Sequence, residues 1–207
     1  MLLKINGKEF WTPLIGEFNA SNLIAVFSVA KLAGIKTIEI LKILSKTRAI
    51  NGRFEILKTP NNATVIVDYA HTPNSLENVI NTVSHIRTKN ELFITIIGCG
   101  GNRDLEKRAK MGRIVLDGCD KVIFTSDNPR YEDPEKIIND MLLGVDLSNL
   151  KKISKIINRR EAIKSGCSQL NPGDILLVAG RGHETHQEIM GKKIPFNDVK
   201  IVKESFN

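Results

Sequence analysis

Residues 91–104 read ELFITIIGCGGNRD, a nearly unbroken apolar run that empties into glycines, an arginine and an aspartate. A strand with one face in water alternates apolar and polar residues. A strand apolar on both faces must be covered on both, as in a parallel sheet sandwiched between helices. Similar runs recur at 65–68 (VIVD), 122–126 (VIFTS) and 175–180 (ILLVAG). Between them the spacing turns helical, over 73–87, 104–117, 134–143, 158–169 and 197–204, with a weaker strand near 151–157. Thr72-Pro73 places proline at the first position of one of these helices. Strands alternating with helices specify an open, mostly parallel α/β sheet.

Upstream the pattern differs. LLKINGKEFWTPL reads as a hairpin turning at Asn6-Gly7. Apolar positions Leu23, Val26, Phe27, Val29, Ala30 and Ala33 predict a helix over 19–34, stopped by Gly34, and a second helix covers 36–46. One hairpin and two helices bury little alone. Residues 1–51 therefore read as the end of a larger domain, and 52–207 as a domain in their own right.

The 207 residues carry 30 Lys+Arg against 23 Asp+Glu, a net charge of +7. Such a balance attracts anions. Aromatic residues are only 5%, too few to supply stacking platforms for nucleic acid, so small anionic substrates are the better reading. Cys99, Cys119 and Cys167 form no CxxC pair and suggest a reducing cytoplasm. No apolar run approaches the ~18 residues of a membrane span.

Ligands of open α/β sheets bind beyond the carboxyl ends of the strands. The unusual residues cluster there, in DYAHTP (68–73), GCGGNRD (98–104), SDNPR (126–130) and GRGHE (180–184). Each alone has an ordinary reading: helix cap, tight turn, turn chemistry, surface pair. Together they offer guanidinium forks for carboxylate or phosphate, and Asp127 and Glu184 as acceptors for an ammonium group. That combination suits a zwitterion such as an amino acid.

TPLIGEFNASN, NGRFE, VDYAHTP, GCGGNRD followed by KR and M, SDNPR and GRGHE, in this order over residues 12–184, resemble the C-terminal part of the Mur ligase family. The DNPR version resembles the branch that adds meso-diaminopimelate. The resemblance implies a Rossmann-like C-terminal domain over 52–207, preceded over 1–51 by the end of the central ATP-binding domain. It implies nucleotide contacts for Asn22, Arg53, Asp68 and His71. It implies diaminopimelate contacts for Arg103, Asp127, Asn128, Arg130, Gly180 and Glu184, with Arg130 on the far carboxylate and Asn128 and Glu184 on the neighbouring ammonium. Asn102, Ala109 and Arg181 stand where relatives usually have Asp, Pro and Lys.

The implied reaction is ATP-driven amide formation between UDP-MurNAc-L-Ala-D-Glu and meso-diaminopimelate through an acyl phosphate, in a cytoplasmic, monomeric enzyme of peptidoglycan synthesis with no nucleic-acid or membrane partner. The phosphate loop and Mg²⁺ ligands of the family have no counterpart in these residues, which hold no catalytic or metal position of their own. The expectation is a chain that is inactive alone, whether truncated, split or a fragment. Two alternatives stay open: a non-catalytic module binding an amino acid or nucleotide, and a related lysine-adding ligase, against which DNPR and GRGHE count.

Overall fold

The computed structural model describes residues 1–88, 90–143 and 145–206. The chain forms two compact units, Met1–Ile50 and Asn51–Asn207.

In the first unit, β1 (Leu2–Ile5) and β2 (Lys8–Trp11) pair antiparallel as a hairpin. Asn6 and Gly7 turn it with φ of 48° and 78°, the double positive φ of a type I′ turn. Helices α1 (Glu17–Leu32) and α2 (Thr37–Leu44) follow. Their shared core is Phe10, Leu14, Leu23, Phe27, Ile40, Leu41 and Leu44. Val26 and Val29, two of the apolar positions whose spacing predicts this helix, are exposed. A helix apolar on several sides offers more stripe than one hairpin and one short helix can cover, and only Leu23 and Phe27 are buried on it.

The second unit is built on a six-stranded sheet in the order β3-β4-β8-β5-β6-β7. The strands are β3 (Glu55–Lys58), β4 (Thr64–Asp68), β5 (Phe93–Ile97), β6 (Lys121–Phe124), β7 (Ile153–Lys155) and β8 (Ile175–Ala179). Only edge strand β3 runs antiparallel. Helices α3 (Pro73–Ile86), α4 (Glu106–Gly118) and α5 (Pro134–Leu142) pack side by side, while α6 (Arg159–Ser168) lies against β5, β6 and β8. Alternate strand residues, among them Val65, Val67, Ile94, Ile96, Ile123, Leu176 and Val178, share one core with α6 and α7 (Asp198–Glu204). Their neighbours Ile66, Phe93, Ile97, Val122, Phe124 and Leu177 are equally buried. Burial on both faces is why these strands lack alternation.

Thr72 caps α3 through a reciprocal pair with Ser75, and Pro73 opens the helix. The α4 helix starts at Glu106, two residues later than the spacing suggests, because the Asp104 carboxylate accepts the Glu106 N–H at 2.9 Å and holds the turn open. A short hairpin, β9 (His186–Ile189) and β10 (Lys192–Pro195), follows β8.

Candidate functional site

The chain runs β4, β5, β6, β7 across the sheet, then α6 carries it back so that β8 inserts between β4 and β5. The resulting reversal of strand order opens a crevice at the carboxyl ends. There the four motif loops meet around a cavity of about 490 Å³. His71, Arg103, Asp127, Asn128, Arg130, Gly180 and Glu184 all line it, joined by Tyr69, Cys99 and Lys107. A second cavity of about 380 Å³ adjoins it, sharing Asn128, Arg130 and Glu184 and adding His183, His186, Glu188 and Lys193.

The glycines of the β5 loop serve packing. A Cβ on Gly101 would lie 1.9 Å from the Pro129 carbonyl oxygen, so only glycine lets this loop close on the next. Buried Arg108 braces the same pair of loops. It donates to Glu132 at 2.9 and 3.0 Å, to Asp140 at 2.8 Å and to the Gly100 carbonyl at 3.3 Å.

Asp127 is buried on the cavity floor, with Oδ1 accepting the Asn128 N–H at 2.7 Å. Burial pushes its carboxyl above the ordinary range, and nearby Arg159 and Arg181 oppose the shift. Arg130 takes φ 53°, in the left-handed region. Its Nη1 donates to the Gly101 carbonyl at 2.8 Å and its Nε pairs with Glu188 Oε2 at 3.1 Å. Nε and one N–H of Nη1 are thus committed to the protein, and Nη2 has no partner among the described residues. Arg103 makes no hydrogen bond or ion pair among the described residues and is exposed at the cavity wall.

Of the residues read as nucleotide contacts, Arg53, Asp68 and His71 belong to the second unit and Asn22 to the first. Arg53 stacks its guanidinium 4.4 Å over the Tyr69 ring, which also meets His71 and His183 at 4.6 and 5.0 Å. This exposed guanidinium on an aromatic face can take phosphate. Asp68 has both oxygens engaged, Oδ2 by the Phe54 N–H and Oδ1 by the Ala70 N–H, each at 2.7 Å. Burial raises its carboxyl pKa and these two N–H groups oppose the rise. Asp68 therefore clamps the start of β3 to the end of β4. Asn22 is exposed on α1, in the other unit.

Arg181, which stands where relatives usually have Lys, and Glu188 are not among the sequence-predicted site residues. Arg181 is buried and bonded to Asn128 at 2.7 Å, while Glu188 pairs with Arg130. A charged residue beside the glycines of GRGHE was the available signal for the first; nothing local marks the second. Asn128 also differs in role: its Oδ1 is spent on Arg181 and the Glu188 N–H, so it faces the site as a donor and not as an acceptor for ammonium. Among the described residues, no group of three or more His, Cys, Asp or Glu side chains is placed to hold a metal ion.

A family model, Mur ligase, glutamate ligase domain, matches residues 52–182. A Bacteroides thetaiotaomicron protein named UDP-N-acetylmuramoyl-L-alanyl-D-glutamate--2,6-diaminopimelate ligase is 47% identical over 207 residues, which cover 100% of this chain and 43% of that protein. A Rickettsia conorii protein of the same name is 42% identical over 201 residues, 96% of this chain and 40% of that one. A solved structure of a ligase of that name superposes with a TM-score of 0.72 at 40% identity, covering 96% of this chain and 40% of its own. Folylpolyglutamate synthase from Mycobacterium tuberculosis, solved with ADP and AMPPCP, shares the fold at a TM-score of 0.62 and 18% identity over 83% of this chain and 40% of its own. The chain spans less than half the length of these curated relatives.

Proposed function

The chain belongs to the Mur ligase family, matched through its glutamate ligase domain, and from that premise we propose that it forms the amino-acid-binding part of a ligase adding meso-diaminopimelate to UDP-MurNAc-L-Ala-D-Glu. The observation that carries this reading is one cavity that combines Arg103 and Arg130 with Asn128 and Glu184. Meso-diaminopimelate has an ammonium and a carboxylate at each end. Arg130 Nη2 and Asn128 Nδ2 are donors for the far carboxylate, Glu184 is the acceptor for the far ammonium, and Arg103 is free to take the other carboxylate. Lysine lacks the far carboxylate and so forgoes the charge-assisted bond to Arg130, worth about 1.5–3 kcal/mol.

ATP is assigned to the β4 side of the site, where Arg53, stacked on Tyr69, and His71 would meet its phosphates and ribose; Asp68 has both oxygens taken by backbone N–H groups, and Asn22 belongs to the first unit. ATP would supply the phosphoryl group that activates the D-glutamyl carboxylate. Among the described residues no group fits a Mg²⁺ site. What these residues contribute is position and charge: a diamino acid held at both ends presents its reacting amine in one geometry. A cytoplasmic setting accords with that substrate and with three unpaired cysteines.

The test is a chimera joining residues 1–207 to the portion of the Bacteroides thetaiotaomicron relative that they do not span. It should release phosphate and form the amide with meso-diaminopimelate, and do so poorly with lysine. Lysine preferred would establish a lysine-adding enzyme. Binding of diaminopimelate without turnover would favour a binding module.

A further inference from the structure

Asn128 follows β6, and its side-chain amide is fully specified by neighbours 53 to 60 residues away. Oδ1 accepts from Arg181 Nη1 at 2.7 Å and from the Glu188 N–H at 2.8 Å. Nδ2 donates to Glu184 Oε2 at 2.9 Å. A carbonyl oxygen has two lone pairs, and both are used. A reversed amide would aim its own N–H groups at a guanidinium and a backbone N–H, neither of which can accept. The orientation thus has one solution.

Arg181 is 1% exposed and lies behind the cavity wall. Its Nη1 also stands 3.3 Å from Glu184 Oε2, its Nη2 donates to the His186 carbonyl, and its guanidinium lies 5.4 Å from the centre of the Phe196 ring. One buried cation therefore holds the loop after β6, the loop after β8 and strand β9 together.

The geometry points to Arg181 as a positioning residue that fixes Asn128 as a donor and Glu184 as an acceptor, so that the pair selects a carboxylate and an ammonium on one carbon. This rests on the amino-acid reading of the cavity. A substrate end carrying both groups satisfies both partners. An end carrying only an ammonium satisfies Glu184 alone.

The experiment uses the 207-residue chain, its Arg181→Met and Arg181→Lys variants, and two readouts. The first needs no ligand: side-chain amide NMR of Asn128. In the wild type its amide hydrogens should show stronger contacts to Glu184 than to the Glu188 N–H; the reverse order overturns the assignment whether or not any variant folds. Methionine fills similar volume but donates nothing, so Arg181→Met should move the Asn128 signals. Lysine keeps one charged donor and should leave them near the wild-type position.

The second readout is calorimetric binding of meso-diaminopimelate and L-lysine. Arg181→Met should lose about tenfold or more of the preference for diaminopimelate, the scale of a charge-assisted bond, and Arg181→Lys should restore it. Arg181→Met with wild-type signals and preference overturns the inference, as does Arg181→Lys failing equally, since the role would then be packing or fork shape alone. A wild type that binds neither amino acid overturns the amino-acid reading instead, while the amide signals still decide the role of Arg181.

Discussion

Gly52 and Gly182 meet backbone to backbone, so closely that neither can carry a side chain. A Cβ on Gly52 would lie 2.1 Å from the His183 nitrogen, and one on Gly182 would lie 2.4 Å from the Gly52 carbonyl oxygen. Both residues hold positive φ, 66° and 48°. This contact pins the start of the second unit to the GRGHE loop. Gly182→Ala forces the two backbones apart and should cost roughly 1–3 kcal/mol of stability, or more. Urea unfolding measures it, and an unchanged midpoint would mean the contact can open freely.

Arg130 sits at φ 53°, so the neutral way to remove its side chain is glycine and not alanine. In the chimera, Arg130→Gly should raise the KM for meso-diaminopimelate by about 10- to 150-fold, the worth of a charge-assisted hydrogen bond. The KM for ATP should hold steady, because ATP is assigned to Arg53, stacked on Tyr69, and Arg130 makes no contact with either. Lysine use should change little. Arg130→Ala should melt lower than Arg130→Gly by a margin equivalent to about 1 kcal/mol. Equal losses for both amino acids would place Arg130 at their common end.

Burial pushes the thiols of Cys99 and Cys119 up to about 12 and that of Cys167 to about 11. The thiolate is the reactive form. At pH 8 none should react with a disulfide reagent in the folded chain, and all 3 should react on adding denaturant. Fast native labelling of Cys99, which lines the cavity, would show that the floor opens.

The carboxyl of Asp127 is raised above the unfolded value by burial, against Arg159 and Arg181. Protonation therefore favours the folded state: this stabilisation is complete below about 3.8 and is lost as pH rises through the folded value. Wild type should gain stability relative to Asp127→Asn as pH falls from 7 toward 4. Paired denaturation curves test it, and a constant difference across that range would remove the shift.

The α/β architecture was legible because its causes are local. Ile94 through Ile97 and Leu176 through Ala179 are apolar on both faces, and Thr72-Pro73 marks a helix start whatever the chain does elsewhere. The motif loops were legible too, since glycine, proline and charge at strand ends read directly. Val26 and Val29 lie in the predicted helix yet are exposed, because helical spacing says which residues share a face and not whether anything covers that face.

The sequence by itself determined the strands, the helices and the clustering of Arg103, Asp127, Asn128, Arg130 and Glu184 at one sheet edge. Tertiary structure alone decided what each does there. The insertion of β8 between β4 and β5 brings Arg181 against Asn128 from 53 residues away and turns that amide into a donor. The β9 strand brings Glu188 to Arg130 Nε and leaves the Nη2 end of the guanidinium for a ligand. Hydrogen-bond direction depends on which partners surround a group in space, and the order of strands in a sheet fixes those partners, which periodicity and turn chemistry along the chain do not record.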